Sequence, residues 1–363
     1  MSILQSLFSA GSGKGIVGLD ISSSAVKLLE LSRRGDQYVV EAYAVEPLPV
    51  NAVADKQIAD PEPVAEAIKR AVQRAGTRTR NAAVAVAGAS VITKIIPLSA
   101  TLSEAEMEEQ IKAEADQYIP YPIDEVNLDF QVLGPSMKDA GSVEVMLAAC
   151  RREQVDQRVA AVEMAGLKAT LVDIEAYSLE NACQFLTHQM PSEGRNKTVA
   201  VVDMGASTTS VLILHDGATI YTRDQTFGGR QLTEDIMRMY GLSLEDAGRQ
   251  KKNGGLPEGY EADILGHFLS DMAQQIDRSL QFFFAASAKH GHIDQIILAG
   301  GCAHINGVDK AIQERLQIPT AIARPFSRMT VSQRAKPALL AKDEASLLIA
   351  CGLAQRAFDE VRP

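Results

Sequence analysis

The stretch that decides the fold is Gly18-Leu19-Asp20-Ile21-Ser22-Ser23-Ser24-Ala25-Val26-Lys27-Leu28. Its pattern is a β-strand that ends in an aspartate, a tight turn of small residues and a second strand. Turns of this kind expose backbone N–H groups that can bind phosphate oxygens. An acid beside the turn can hold a hydrated Mg²⁺, because this ion keeps several waters and needs few carboxylates. An ordinary hairpin with an acid in its turn would show the same pattern, so this stretch alone leaves both interpretations open.

A second stretch with this pattern lies in the other half of the chain. It reads Val201-Val202-Asp203-Met204-Gly205-Ala206-Ser207-Thr208-Thr209-Ser210-Val211, and Gly205 removes a side chain where a phosphate would approach. A glycine pair follows in Leu298-Ala299-Gly300-Gly301. Two aspartate turns followed by a glycine pair favour a nucleotide site.

Composition restricts the function further. The chain has 363 residues, of which 46% are hydrophobic, and this length predicts two or three domains. Its net charge of −10 argues against a nucleic-acid partner, which would need a basic surface. The four cysteines show no CxxC spacing, which indicates a reducing compartment and neither disulfides nor a zinc site. No apolar run reaches the roughly 18 residues of a membrane helix.

The patterns of apolar residues and turn signals predict the secondary structure. Strands are expected at 16–20, 25–32, 37–45, 82–88, 91–98, 127–133, 143–150, 169–175, 198–203, 210–215, 219–224 and 295–299. Helices are expected at 61–75, 103–118, 153–165, 176–189, 233–240, 265–288, 308–316 and 345–358. Ser103 and Glu106 have the spacing of a capping box. The order of strands, turn and helix occurs twice, which indicates an architectural repeat.

These elements predict four regions. Residues 1–13 form a flexible N-terminal segment. Residues 14–90, 167–190 and 336–363 form a first lobe, and residues 191–335 form a second lobe after the polar linker 191–197. Residues 91–166 form an α/β module inserted between two elements of the first lobe.

The two aspartate turns and the glycine pair resemble, in type and order, those of the superfamily of actin, sugar kinases and heat-shock chaperone ATPases. The resemblance spans nearly the whole chain. It implies an α/β, actin-like ATPase fold with two lobes, each built from a mixed sheet and helices. The inserted module lies where the cell-division protein FtsA has its extra subdomain, named 1C, and not where actin has its own.

Within this superfamily, the chain resembles the PilM family of actin-like proteins of type IV pilus machines. Besides the two turns, the stretch Glu114-Ala115-Asp116-Gln117-Tyr118-Ile119-Pro120-Tyr121-Pro122 carries this resemblance. It implies an ATP-binding adaptor of the inner-membrane platform with at most slow ATPase activity. The implied partner is the cytoplasmic N-terminal peptide of PilN, which would dock between the inserted module and the core. The implied location is the cytoplasm, at the inner membrane through that partner. Binding to further platform and motor proteins stays open, and so does a homo-oligomer.

The resemblance also implies roles for single residues. Asp20 and Asp203 would hold Mg²⁺ through water. Gly300 and Gly301 would let the backbone approach the ribose and adenine of ATP. Lys27 matches a phosphate-contacting lysine of actin, and the alternative is an exposed charge on the second strand. The residues expected to line the β- and γ-phosphates are Ser22, Ser23, Ser24, Gly205, Ala206, Ser207 and Thr208.

Two further assignments come from the same resemblance. Lys251 matches the lysine of an Ala-Glu-x-x-Lys nucleoside motif, in which Gly248 replaces the glutamate. Glu175 matches the position that orients the attacking water, where a carboxylate would serve as general base. The alternative for Glu175 is an acid stabilised by the helix dipole.

Several alternatives stay open at this stage. The segment 118–122 is either a loop that packs under the inserted module or part of a groove for a partner peptide. A sugar or acid kinase of the same superfamily is a second functional class, although no convincing second acid near a substrate loop is found. An FtsA-like cell-division filament protein is a third.

Overall fold

A computed structural model describes residues 15–54, 56–137, 139–287 and 289–359 of the chain. The predicted flexible segment 1–13 lies outside the described residues. The first region begins with strands β1 (Ile16–Ile21), β2 (Ala25–Arg34) and β3 (Gln37–Pro47). The small hairpin of β4 (Val53–Ala54) and β5 (Gln57–Ile58) follows, and then helix α1 (Pro61–Ala75) and strand β6 (Asn81–Val86). Helix α1 has the predicted bounds, because Asp60 caps its first turn and Gly76 ends it in the left-handed conformation.

The inserted segment has its own sheet. It comprises β7 (Val91–Ser99), α2 (Glu104–Ala113), β8 (Val126–Pro135), β9 (Ser142–Arg151) and α3 (Arg152–Met164). The strands pair antiparallel in the order β7-β9-β8. The predicted capping box of Ser103 and Glu106 is confirmed at the start of α2. Within the predicted insert 91–166, helix α3 packs on α1 and on the core of the first sheet.

The remaining elements complete the two lobes. Strand β10 (Lys168–Ile174) and helix α4 (Glu175–Cys183) return to the first lobe. The second lobe contains β11 (Thr198–Met204), β12 (Thr209–His215), β13 (Ala218–Gln225), α5 (Gly229–Tyr240), α6 (Leu244–Asn253), α7 (Gly266–Ala286), β14 (Gln295–Ala299), α8 (Val308–Leu316) and β15 (Thr320–Ile322). Strand β16 (Thr330–Val331) and helices α9 (Pro337–Asp343) and α10 (Leu348–Gln355) end the described fold.

Short helical turns join several of these elements. The 3₁₀ turns are Gly88–Ser90, Ala115–Gln117, Ile123–Glu125, Gln184–Gln189, Pro191–Gly194, Gly301–His304, Gln333–Ala335, Glu344–Leu347 and Arg356–Phe358, and Glu261–Leu265 is a π-helical turn before α7. None of the helices in the described part of the chain is long and apolar enough to cross a membrane.

The two large sheets repeat one arrangement. The first has the order β10-β6-β1-β2-β3-β16 and the second the order β13-β12-β11-β14-β15. Strand β1 pairs antiparallel with β2 and parallel with β6, and β11 pairs antiparallel with β12 and parallel with β14. Asp20 and Asp203 therefore lie near the ends of equivalent strands, in agreement with the predicted architectural repeat.

Helices cover both faces of the first sheet, which explains why all of β1 is buried. Helix α10 approaches β1 so closely that a Cβ on Gly18 would lie 2.1 Å from the carbonyl oxygen of Ala350. A Cβ on Gly352 would lie 1.7 Å from the carbonyl oxygen of Ser178 in α4. These two glycines fix the layer of α10 and α4 against the strand that carries Asp20.

The second half contains elements that the sequence patterns did not predict. Helix α6 is short and polar, and the hydroxyl of Ser243 caps it by accepting from the N–H of Asp246. Helix α5 begins at Gly229, earlier than the predicted 233–240. The predicted helix 176–189 ends as an α-helix at Cys183, and the predicted helix 345–358 is α-helical only over α10. Strands β15 and β16 are too short to show a period.

Candidate functional site

The first aspartate turn contains a buried ion pair. Asp20 lies opposite Lys27 in the β1–β2 pair, and the Lys27 ammonium is 2.8 Å from Oδ2 of Asp20. Burial lowers the pKa of Lys27, but the negative charges of Asp20 and Asp203 outweigh burial and hold it above its ordinary value. The side chain of Lys27 is only 14% exposed, so the alternative of an exposed charge is wrong.

Asp203 lies near the end of β11 in the second aspartate turn. Burial raises the pKa of Asp203 to about 6, with Lys27 acting against the rise and Asp20 adding to it. A bound cation would stabilise the ionised form of such a carboxyl group, because a nearby positive charge favours ionisation. Asp20 and Asp203 are the two acids that were predicted to hold Mg²⁺ through water. Both interact with Lys27, so they lie in one site.

The two turns contact each other. The hydroxyl of Ser207 donates a hydrogen bond of 3.0 Å to the hydroxyl of Ser23. Ser22 closes the first turn, since its hydroxyl and its N–H both donate to the carbonyl oxygen of Ala25. Ser24 is exposed next to them. The structure thus brings together the two groups of residues that were predicted to line the phosphates.

The second turn packs against the first residues of α5. The N–H of Gly229 donates to the carbonyl oxygen of Gly205 at 3.1 Å. A Cβ on Gly228 would lie 2.6 Å from the backbone of Ala206, and a Cβ on Gly205 would lie 2.9 Å from the carbonyl oxygen of Thr208. The glycine pair 228–229 precedes the helix that was predicted at 233–240. Its structural role is to let α5 approach the second turn.

The glycine pair after β14 has two different roles. Gly300 has a φ of +82°, and a Cβ there would lie 2.4 Å from the carbonyl oxygen of Met204 in β11. Its N–H donates to the carbonyl oxygen of Ala345 at 2.8 Å. Gly300 is therefore required by close packing within the protein. At Gly301 nothing lies within 4 Å of an added Cβ, so this side of the pair faces open space.

Lys251 lies on α6 and forms hydrogen bonds to α5. Its ammonium donates to the carbonyl oxygen of Gly229 at 2.8 Å and to Oγ1 of Thr233 at 2.6 Å. Burial lowers the pKa of Lys251. Because Gly229 also bonds to Gly205, the predicted nucleoside lysine belongs to the same assembly as the second turn. Gly248, which replaces the glutamate of the motif, lies one turn earlier on α6.

Glu175 is the first residue of α4 and forms an ion pair that the sequence did not suggest. Its Oε2 lies 2.6 Å from the ammonium of Lys56, which projects from the β4–β5 hairpin. The same ammonium lies 3.9 Å from Oδ2 of Asp224 on β13 of the second lobe. The position of Glu175 fits both a helix N-terminal acid and a carboxylate at the cleft between the lobes. Lys56 is 119 residues away in sequence, and no local pattern connects the two.

The acids fit a magnesium ion that is held through its waters. Among the described residues, no group of three or more His, Cys, Asp or Glu side chains could hold a metal ion directly. Mg²⁺ bound with a nucleotide needs only one or two carboxylates, since water and phosphate oxygens supply its other ligands. Asp20 and Asp203 meet this requirement.

Two cavities lie near the first lobe. One of about 20 Å³, enough for a single water, is lined by Glu175 and Leu179 on one side and by Val211 and Asp224 on the other. A more open pocket of about 460 Å³ lies at the opposite end of the first sheet, around Gly15, and contains none of the predicted site residues.

The segment 118–122 contributes to the core of the inserted module. Ile119 is 4% exposed and packs in the cluster beneath the three-stranded sheet. The hydroxyl of Tyr118 donates to Oε2 of Glu114 at 3.0 Å, and the guanidinium of Arg151 lies 4.4 Å above the ring of Tyr121. The interpretation of a loop that packs under the module is thus confirmed for Ile119.

Comparisons with known proteins agree with this geometry. The model of the family described as "Type IV pilus assembly protein PilM" matches residues 18–358. A solved chain described as "PilM-PilN type IV pilus biogenesis complex" is 29% identical, with a TM-score of 0.78, and the match covers 95% of this chain and 99% of that chain. The cell division protein FtsA of Pseudomonas aeruginosa is 25% identical over an alignment of 365 residues, and the match covers 88% of this chain and 85% of FtsA.

A more distant solved structure shares the fold alone. MreB 5 of Spiroplasma citri, solved with AMPPNP, is 14% identical with a TM-score of 0.50, covering 94% of this chain and 95% of that chain. The expected actin-like α/β fold is thereby confirmed, and the PilM family model spans nearly all of the described residues. The chain therefore belongs to the PilM family of type IV pilus assembly proteins.

Proposed function

We propose that this chain is an ATP-binding adaptor of the type IV pilus inner-membrane platform. It binds the cytoplasmic N-terminal peptide of PilN and links the platform to the cytoplasmic motor, in pilus biogenesis and twitching motility. The observation that carries the proposal is the contact between the two aspartate turns, through Ser23 and Ser207, in a chain of the PilM family. The relative described as a PilM–PilN complex supports the choice of partner.

The nucleotide is ATP with Mg²⁺, and the two turns hold it. Asp20 and Asp203 bind the waters of the ion, and the small residues of the turns bind the phosphates through their N–H and hydroxyl groups. Lys251, Gly300 and Gly301 lie on the nucleoside side. Turnover is slow at most, and Glu175 is the candidate base.

The partner peptide binds between the inserted module, residues 91–166, and the first lobe. Ile95, Met146 and Gln131 lie side by side on one face of the three-stranded sheet. The hydroxyl of Tyr177, from α4, contacts Sδ of Met146 at 3.1 Å, so this face borders the first lobe. Ile95 is 61% exposed, which leaves apolar surface available to a peptide at this border.

The location follows from the partner. The chain resides in the cytoplasm and reaches the inner membrane through PilN.

The first lobe comprises 14–90, 167–190 and 336–363, and the second comprises 191–335. ATP biases the relative closure of the two lobes and thereby the partner surface, as a shift between pre-existing states.

Calorimetry with a synthetic PilN N-terminal peptide tests this function. The Ile95→Glu variant places a charge on the apolar border and should weaken binding at least about tenfold, since that corresponds to only about 1.4 kcal/mol. The matched control is Ile220→Glu, which changes a residue of the second lobe that is 40% exposed. No binding of the unmodified chain at high micromolar peptide, or equal losses in the two variants, would contradict the proposal.

A further inference from the structure

Lys56 contacts Glu175, the candidate general base of the site. Its ammonium lies between two carboxylates, Glu175 of the first lobe at 2.6 Å and Asp224 of the second lobe at 3.9 Å. Burial lowers the pKa of Lys56, but Glu175 and Asp224 outweigh burial and raise it above its ordinary value. The group is thus a cation that contacts the candidate general base at the cleft between the lobes.

The position of Lys56 is fixed by a buried arginine. Arg158 is 1% exposed, and its Nη2 donates to the carbonyl oxygen of Lys56 at 2.6 Å. Its Nε donates to the carbonyl oxygen of Ala85, at the end of β6, at 2.7 Å. Lys56 has a φ of +62°, a conformation that a non-glycine residue adopts only at an energetic cost. Arg158 therefore supports a backbone conformation that points the ammonium at Glu175.

We propose that Lys56 is a positioning residue that restrains ATP hydrolysis by keeping Glu175 in an ion pair. The proposal rests on the proposed function, since it assumes that ATP binds at the two turns. In the restrained reaction, the oxygen of a water forms a bond to the γ-phosphorus and the bond from that phosphorus to the β–γ bridging oxygen breaks. The proton of the water passes to Glu175, and ADP and phosphate leave.

The ion pair opposes this step because the ammonium of Lys56 lies 2.6 Å from Oε2 of Glu175 and occupies that oxygen. While the pair is closed, Oε2 is not free to accept a hydrogen bond from the attacking water. Release of Glu175 would therefore turn a chain that holds ATP into one that hydrolyses it faster.

The Lys56→Asn variant tests the role of the charge. Asparagine is among the residues that tolerate a positive φ, so the hairpin keeps its backbone conformation. The single-turnover rate of hydrolysis of bound ATP should rise about tenfold in Lys56→Asn. This is less than the roughly 10²–10⁴-fold rate increase that general acid–base catalysis typically contributes. Lys56→Arg keeps the cation and should hydrolyse ATP as slowly as the unmodified chain. The gain should disappear in the double variant Lys56→Asn/Glu175→Gln.

A second readout needs no nucleotide. In a double-mutant cycle on thermal unfolding at pH 8, Lys56→Asn leaves Glu175 buried without its partner and should lower the midpoint by about 2–4 °C. The loss should be smaller when Glu175→Gln is already present, because the two side chains interact. Additive effects would show that they do not interact and would overturn the proposal.

The outcomes separate the two proposals. If the unmodified chain fails to bind Mg–ATP, the nucleotide assignment is wrong. If Mg–ATP binds and hydrolysis in Lys56→Asn is unchanged or slower, the restraining role of Lys56 alone is wrong.

Discussion

The hydroxyl of Ser207 lies 3.0 Å from the hydroxyl of Ser23 and donates a hydrogen bond to it, although the two residues are 184 positions apart. Ser23 belongs to the turn after Asp20 and Ser207 to the turn after Asp203. The bond therefore joins the two aspartate turns, one from each lobe. It shows that the repeated strand–turn–strand pattern converges on one site.

Removal of this contact should weaken nucleotide binding. A hydrogen bond between hydroxyl groups contributes about 0.5–1.5 kcal/mol, so Ser207→Ala should raise the Kd for Mg–ATP by up to about tenfold. Fluorescence titration with a labelled ATP analogue measures this change. Ser192→Ala, on the linker between the lobes, is the control, and an equal loss there would contradict a role for the contact.

The elevated pKa of Asp203 predicts a dependence of stability on pH. Its folded-state pKa of about 6 lies above the ordinary value of 3.8, so the stability it contributes is complete below 3.8 and is lost as pH rises through about 6. The charges of Lys27, Asp20, Lys56 and Glu175 surround it. Asp203→Asn should therefore gain stability relative to the unmodified chain between pH 4.5 and pH 7.5. Thermal unfolding of both proteins in the absence of nucleotide measures the difference, and a constant difference would contradict the raised pKa.

The two glycines after β14 should respond differently to substitution. Gly300→Ala forces a Cβ to within 2.4 Å of the carbonyl oxygen of Met204 at a φ of +82°, whereas Gly301→Ala meets nothing within 4 Å. We expect a loss of about 2 kcal/mol or more for Gly300→Ala and under about 1 kcal/mol for Gly301→Ala. Urea unfolding gives both values, and similar losses would argue against the packing role of Gly300.

Arg158 should be essential to the stability of the first lobe. Its replacement by methionine removes the hydrogen bonds to the carbonyl oxygens of Lys56 and Ala85, and a bond from a charged donor contributes about 1.5–3 kcal/mol. The control is Arg152→Met, because Arg152 is exposed on the same helix. If both variants unfold at the same urea concentration, the two hydrogen bonds are not what stabilises this region.

Local features of the fold were predictable from the sequence. The period of the residues predicted strands β1 and β2, whose antiparallel pairing places Asp20 opposite Lys27 in the structure. The bounds of α1 were predictable, because a helix end such as Gly76 depends on residues next to the helix. Helix α6 carried a signal in Ser243 and Asp246 that its polar composition obscured.

Long-range contacts were not predictable in this way. Glu175 meets Lys56 only because the β4–β5 hairpin folds back to the start of α4, and a single sequence contains no period that links them. The same holds for Arg158 and its two carbonyl partners. The contact of Gly300 with Met204 was not predictable either, because it depends on how β14 lies beside β11.

The most direct test of the account is a calorimetric titration of ATP with Mg²⁺ and again with a chelator. The control variant is Asp36→Asn, because Asp36 is a fully exposed acid on the turn between β2 and β3. We predict that the unmodified chain and Asp36→Asn bind ATP only when Mg²⁺ is present, and that Asp203→Asn binds it at least about tenfold more weakly. Binding that is independent of Mg²⁺, or unchanged in Asp203→Asn, would contradict the assignment of the two aspartate turns as the site for Mg–ATP.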